Sequence, residues 1–169
     1  MAEVTVAKSS ERELWESCLA NLNAEHHAYR WAWRDIISRV FSHKPYYLIA
    51  RAISDGPVVG ILPLFHVKSV LFGSALSSLP YLNAGGILSQ SNEVAAELLN
   101  YAKNLAANLG TDYIELRHVA SCPWYEDSLA VRTHKVAMTL NLNPNPEDVF
   151  SSFPPKLRSQ IRRPTKSGF

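Results

Sequence analysis

Apolar positions near the N-terminus recur every three or four residues. Leu14, Trp15, Cys18, Leu19 and Leu22 form one such stripe, which predicts a helix over residues 10–23. Ser10, with Glu13 three residues on, has the form of a capping box that would start it. Trp31, Ile36, Ile37, Val40 and Phe41 form a second stripe and predict a helix over 28–41. A short strand in EVTVA precedes both. The period then changes. PYYLIARAI and VVGILPLFHVKS are β-rich runs separated by Ser54-Asp55-Gly56-Pro57, where Asp-Gly supplies the positive φ angles of a tight reversal. SALSSLPYLNAGGIL holds a further strand and then a glycine-bearing loop. Val94, Leu98, Leu99, Leu105 and Leu109 mark a helix over 93–109, closed by Gly110. TDYIELRHV predicts a strand, ASCPWYED a loop, HKVAMTLNL another strand and PNPEDVFSSF a short helix with Pro146 near its first turn.

The predicted order is β-α-α-β-β-β-α-β-β-α-α. Hairpin-rich strands with helices in separate places argue for an α+β domain whose mixed sheet is mainly antiparallel. Two helices after the first strand, a three-stranded meander, then a helix and a strand is the order of the GNAT acyltransferase fold. The chain has 169 residues, 47% hydrophobic and 19% charged, a globular composition long enough for one domain with its own core. Cys18 and Cys122 are too few and too scattered for a disulfide framework or a zinc site. The N-terminus lacks a basic-then-apolar signal pattern, and no apolar run nears the ~18 residues of a membrane span. A cytoplasmic location is the expectation.

Charge changes the picture at one place. Lys156, Arg158, Arg162, Arg163 and Lys166 put five positive charges into KLRSQIRRPTK without an acid, leaving twelve bases against fifteen acids elsewhere. Pro155 suits a helix start, Leu157 and Ile161 lie four apart and are expected to face the protein, and Pro164 is expected to end or kink the helix at Arg163. Crowded cations call for a counter-anion such as a phosphate, a diphosphate or a nucleic-acid backbone. The bland alternative is a solvated face paired to Glu147 and Asp148.

Other chemistry-bearing candidates are sparser. Tyr81 and Asn83, in Pro80-Tyr-Leu-Asn-Ala-Gly-Gly86, are candidates for substrate contact. That loop lacks the Gln/Arg-x-x-Gly-x-Gly/Ala pattern by which GNAT enzymes hold an acyl-CoA diphosphate, and a plain turn is the competing reading. Arg117-His118 and His134-Lys135 sit on two predicted strands, and pairing of those strands would bring the four side chains together. There Arg117 is a substrate-binding candidate and His118 a candidate base, against the commoner case of a structural strand histidine. His26, His27, His43 and His66 show no metal-ligand spacing.

HAYRWAWRDIISRVFSHKPYYLIAR, VVGILPLFHVKSVLFGSALSSLPYLNAGGIL, DYIELRHV, RTHKVAMTL and PPKLRSQIRRPTKSG together resemble the FemAB-like proteins, and within them the branch associated with PEP-CTERM and exopolysaccharide loci. The resemblance implies a duplicated GNAT-like fold, with residues 1–153 as an N-terminal domain and 154–169 as a basic helical junction toward a second one. It implies an acyl- or aminoacyltransferase, active with its second half present, that delivers an acyl or aminoacyl group to an amine acceptor in envelope or exopolysaccharide biosynthesis. Aminoacyl-tRNA or acyl-CoA would be the donor, with no cofactor held in this half and no metal. The partner would be an anionic envelope or polysaccharide precursor, contacted by Lys156, Arg158, Arg162 and Arg163. A non-catalytic module whose tail engages RNA or an acidic partner, and a CoA-dependent N-acetyltransferase, are the alternatives.

Overall fold

Five strands run in the spatial order β1 (Glu3–Val6), β2 (Lys44–Arg51), β3 (Val58–Ser69), β4 (Gly73–Ser78) and β6 (Tyr113–Glu115), while β5 (Leu88–Ser89) pairs with β3. The computed structural model describes the chain apart from residues 1, 23, 25, 70, 72, 120–128, 133–137, 139, 167 and 169. It forms two units, residues 1–133 and 134–169. All pairings are antiparallel except β4–β6, which is parallel. The helices of the first unit are α1 (Arg12–Asn21), α2 (Ala32–Phe41) and α3 (Asn92–Leu109). This is the expected α+β architecture with a mixed, mainly antiparallel sheet.

Both sheet faces are covered, so the central strands are continuously apolar instead of alternating with polar residues. Tyr47, Ile49, Ile61 and Phe65 point to the side that packs Trp15 of α1, Ile37 of α2 and Trp31 just before α2. Leu48, Ala50, Leu62 and Leu64 point to the other side, against Ala95, Leu98, Leu99, Ala102 and Ala106 of α3. Those five α3 positions make one helical stripe. Ser91 Oγ caps the helix start by accepting from Val94 N–H at 3.4 Å, and Gly110, at φ +63°, ends it.

Several expected boundaries move, each for a local reason. The expected Ser10 cap does not form: Ser10 lies within a 3-10 turn, Ser9–Glu11, where the Glu11 carboxylate accepts Lys8 N–H at 2.7 Å, and α1 follows without a side-chain cap of its own. The second helix starts at Ala32, not at 28. Arg30 is extended, and Glu16 of α1 accepts Trp31 N–H at 2.8 Å, serving the start of α2 from a distance. In the β2–β3 connection only Asp55 takes a positive φ, +59°. The strand expected over TDYIELRHV shortens to Tyr113–Glu115, because the Arg117 carbonyl turns away to meet Gly85 and Gly86. ASCPWYED and most of HKVAMTLNL lie outside the described residues.

The second unit contains α4 (Pro146–Ser152) and α5 (Pro155–Lys166). Asn145 caps α4 through its side chain, accepting Glu147 N–H at 3.2 Å. Of the end or kink expected at Pro164, the end does not occur. Helix α5 runs on to Lys166, since a proline this close to a helix end removes one backbone bond and obstructs only the last turn. Nor are Leu157 and Ile161 covered, being 39% and 44% exposed.

Candidate functional site

A single residue, Pro63, breaks the β3–β4 ladder. In an antiparallel pair the N–H and C=O of one residue point to the same side. The Pro63 carbonyl accepts Leu79 N–H at 3.3 Å, but proline has no N–H to return. Pairing of β3 with β4 accordingly ends at Leu64↔Ser78, and the edge of β3 is taken up again by β5 at Ile61↔Leu88. Between these points the chain from Leu79 to Ile87 leaves the sheet edge. Leu79 and Ala84 join the core on the α1/α2 side.

Residues just after β6 hold this excursion in place. Arg117 N–H donates to Ser78 Oγ at 2.8 Å. Its carbonyl accepts from Gly85 N–H at 3.0 Å and Gly86 N–H at 2.8 Å. Its guanidinium donates to the carbonyls of Leu82 (2.8 Å) and Leu79 (3.4 Å) and to Glu115 Oε2 (2.9 Å). His118 Nε2 accepts Ile87 N–H at 2.9 Å, which puts the ring proton on the other nitrogen. Burial pushes the His118 pKa down to about 4, so the ring is neutral at physiological pH. The ring lies so close to Gly86 that a Cβ there would sit 2.5 Å from Nε2 and 2.6 Å from Cγ.

Two consequences follow for chemistry. The amides of residues 85–87 already have acceptors within the protein. Arg117 and His118, read from the sequence as substrate contact and base, both hydrogen-bond to the loop: one donates to its carbonyls, the other accepts its last amide. His134 and Lys135, expected to converge with them, lie outside the described residues.

The exposed tip of the excursion carries a second cluster. Leu79 and Tyr81 both adopt left-handed φ angles, +43° and +75°, a conformation that costs a non-glycine residue about 1–2 kcal/mol. The two carbonyls clamped by Arg117 bracket this segment. Tyr81, 58% exposed, stacks on Phe41 with ring centroids 4.0 Å apart. Its hydroxyl shares a 2.8 Å hydrogen bond with His43 Nε2, and the two rings are nearly parallel at 7°. Desolvation lowers the His43 pKa from its ordinary value, leaving a neutral imidazole beside a phenol. Asn83 is exposed two residues further along the chain from Tyr81. Phe41, from the end of α2, and His43, just before β2, lie about forty residues from Tyr81 in the chain, and no spacing rule joins them.

The remaining candidates lie in the second unit. Lys156, Arg162 and Arg163 are exposed, Arg158 is half-buried, and the Arg162 guanidinium lies 4.9 Å over the Phe150 ring of α4. Among the described residues no group of three or more His, Cys, Asp or Glu side chains is placed to hold a metal ion, and no helix is long and apolar enough to cross a membrane. Cys18 is buried, with its thiol pushed up to about 11 by desolvation.

No protein-family model matches the sequence, and no curated protein matches it. Solved structures do match in fold. The ribosomal-protein-alanine N-acetyltransferase of Brucella melitensis biovar Abortus superposes with a TM-score of 0.57 at 13% identity, over 83% of this chain and 99% of that one. The glucosamine-6-phosphate N-acetyltransferase of Arabidopsis thaliana gives 0.53 at 10% identity, over 83% and 99%. AAC(6')-Iy, in complex with the bisubstrate analogue CoA-S-monomethyl-acetylneamine, gives 0.52 at 14% identity, over 85% and 99%. Meander, parallel β4–β6 pair and helices on both faces together make this a GNAT-like fold.

Proposed function

We propose that the first unit is the acceptor-side lobe of an N-acyltransferase. The observation that carries the reading is the exposed Tyr81–His43 pair, held in strained backbone at the end of β4 within a GNAT-like fold. In the reaction an amine attacks the carbonyl of an activated ester or thioester. The N–C bond forms, the C–O or C–S bond breaks, and the nitrogen gives up one proton. Tyr81 oxygen takes that proton as its own passes to neutral His43, and the pair then returns it to the departing alkoxide or thiolate.

The resemblance to FemAB-like proteins refines this to an acyl- or aminoacyltransferase of envelope or exopolysaccharide biosynthesis, acting in the cytoplasm with a second GNAT-like lobe. The engaged amides of residues 85–87 support a donor held outside this loop, whether aminoacyl-tRNA or acyl-CoA. Lys156, Arg158, Arg162 and Arg163 then contact the anionic precursor. A CoA-dependent N-acetyltransferase is the second reading, favoured by the neighbour bound to a CoA analogue; it requires the Arg117 carbonyl and His118 to release the loop.

The test is transfer from radiolabelled aminoacyl-tRNA or acetyl-CoA to an amine-bearing nucleotide-sugar peptide. Tyr81→Phe and His43→Gln should each lower turnover about 100-fold or more, with acceptor affinity changed less than about threefold. Turnover equal to wild type in both variants refutes the assignment. Tight acetyl-CoA binding with loss of the Gly85 and Gly86 amide protection decides for the second reading.

A further inference from the structure

We propose that the exposed face of α2 pairs antiparallel with the same face of a second copy of this chain. The inference goes beyond acyl transfer and does not depend on it.

Helix α2 buries Ile37 and leaves Ala32, Ile36 and Val40 exposed, a line of apolar side chains at spacing four. Ile36 is 44% and Val40 65% exposed. Asp35 and Arg39, also four apart, lie along one flank of that line, at about 60–100° from Ile36 around the helix axis. Arg12, at the start of α1, lines the same groove. Among the described residues Arg39 makes no ion pair, and Asp35 makes only a long one, 3.7 Å, to Arg34.

This spacing selects the occupant. Two copies of one helix related by a perpendicular two-fold axis run antiparallel, and each flank meets the same flank of the other copy. With the axis level with position 37, Asp35 stands opposite the second copy's Arg39, and Arg39 opposite the second copy's Asp35. In that register Ile36 comes level with position 38, midway between the second copy's Ile36 and Val40. Val40 comes level with position 34, midway between the second copy's Ala32 and Ile36. One register thus interlocks the apolar line and pairs both charges, twice by symmetry. A wholly acidic surface would face Asp35, a wholly basic one Arg39, and an acyl chain would leave both charges unmet. A reversed Asp-x-x-x-Arg beside an apolar line meets all of them, and an antiparallel α2 supplies it. A single helix face makes a small interface, so the dimer is weak.

Sedimentation equilibrium of the full chain from about 10 to 300 µM is the experiment, a range suited to a small interface. A monomer–dimer equilibrium is expected. Ile36→Lys should weaken dimerisation at least about tenfold, because it sets a charge in the apolar line. Asp35→Lys and Arg39→Asp each place like charges across the axis and should weaken it at least about tenfold as well. Mixing these two variants restores opposite charges at both contacts, so heterodimers should form about as tightly as the wild-type dimer. Unchanged urea midpoints show that each variant is folded. The inference is overturned by a monomer throughout the range, by Ile36→Lys dimerising like wild type, or by mixed charge variants that stay monomeric.

Discussion

Replacing Gly86 by alanine probes the joint on which the excursion depends. The new Cβ would stand 2.5–2.6 Å from atoms of the His118 ring, where ordinary contact begins at 3.4 Å. The ring must therefore retreat by nearly an ångström, and its 2.9 Å bond from Ile87 N–H is lost. Overpacking of this kind costs about 1–3 kcal/mol, and an unpaired buried amide a further ~1–3 kcal/mol. We expect a net loss of about 3 kcal/mol, a fall in Tm of roughly 6–12 °C for a domain of this size. His118→Ala alone should cost about 2 kcal/mol, since it also strands the Ile87 amide. In the double variant the methyl group occupies space the imidazole vacated. Its cost should match that of His118→Ala, far below the sum of the two single losses. Urea unfolding followed by tryptophan fluorescence measures all three. A Gly86→Ala protein within ~0.5 kcal/mol of wild type, or strict additivity in the double variant, would refute the packing argument.

Two further outcomes test the same joint. The folded His118 has a pKa near 4, against 6.5 for the unexposed-to-burial reference, so the unfolded chain binds its proton first as pH falls. Its contribution is complete above pH 6.5, erodes below that and levels off near pH 4, amounting to at most about 3 kcal/mol. His118→Gln, which keeps an acceptor for the Ile87 amide, should flatten that part of the stability profile; identical slopes would contradict the burial of a neutral ring. Arg117→Lys removes a fork that serves Leu82 and Glu115 together. Amide exchange across residues 79–86 should accelerate at least about tenfold while α3 is unaffected, and uniform exchange would show that the clamp does not hold the loop.

The fold was legible because its signals are local and redundant. The α3 stripe, its Gly110 boundary and the β3 run were visible in residue spacing alone. Helix starts were less so, since Glu16 reaches from α1 to serve α2, and Ser10 falls inside a 3-10 turn that Glu11 closes onto Lys8. Tyr81 stood out by its place beside glycines, but its partners did not. His43 and Phe41 reach it only because Pro63 interrupts a ladder and sends the chain across the sheet. Arg117 and His118 were visible as polar residues at a strand end, but their side chains could not be aimed without knowing where residues 79–87 pass.

The parallel partnership of β4 and β6 also dictates an order of events. The β2–β3–β4 meander closes through short connections, whereas Ala75 meets Tyr113 only after the whole of α3 has been laid down between them. Distant pairings bear the larger loop-closure entropy and tend to form late. Arg117 and His118 follow just after that late strand. The loop bearing Tyr81 therefore acquires its shape in the last stage of folding, and a nascent domain with its meander already built would still lack a finished mouth.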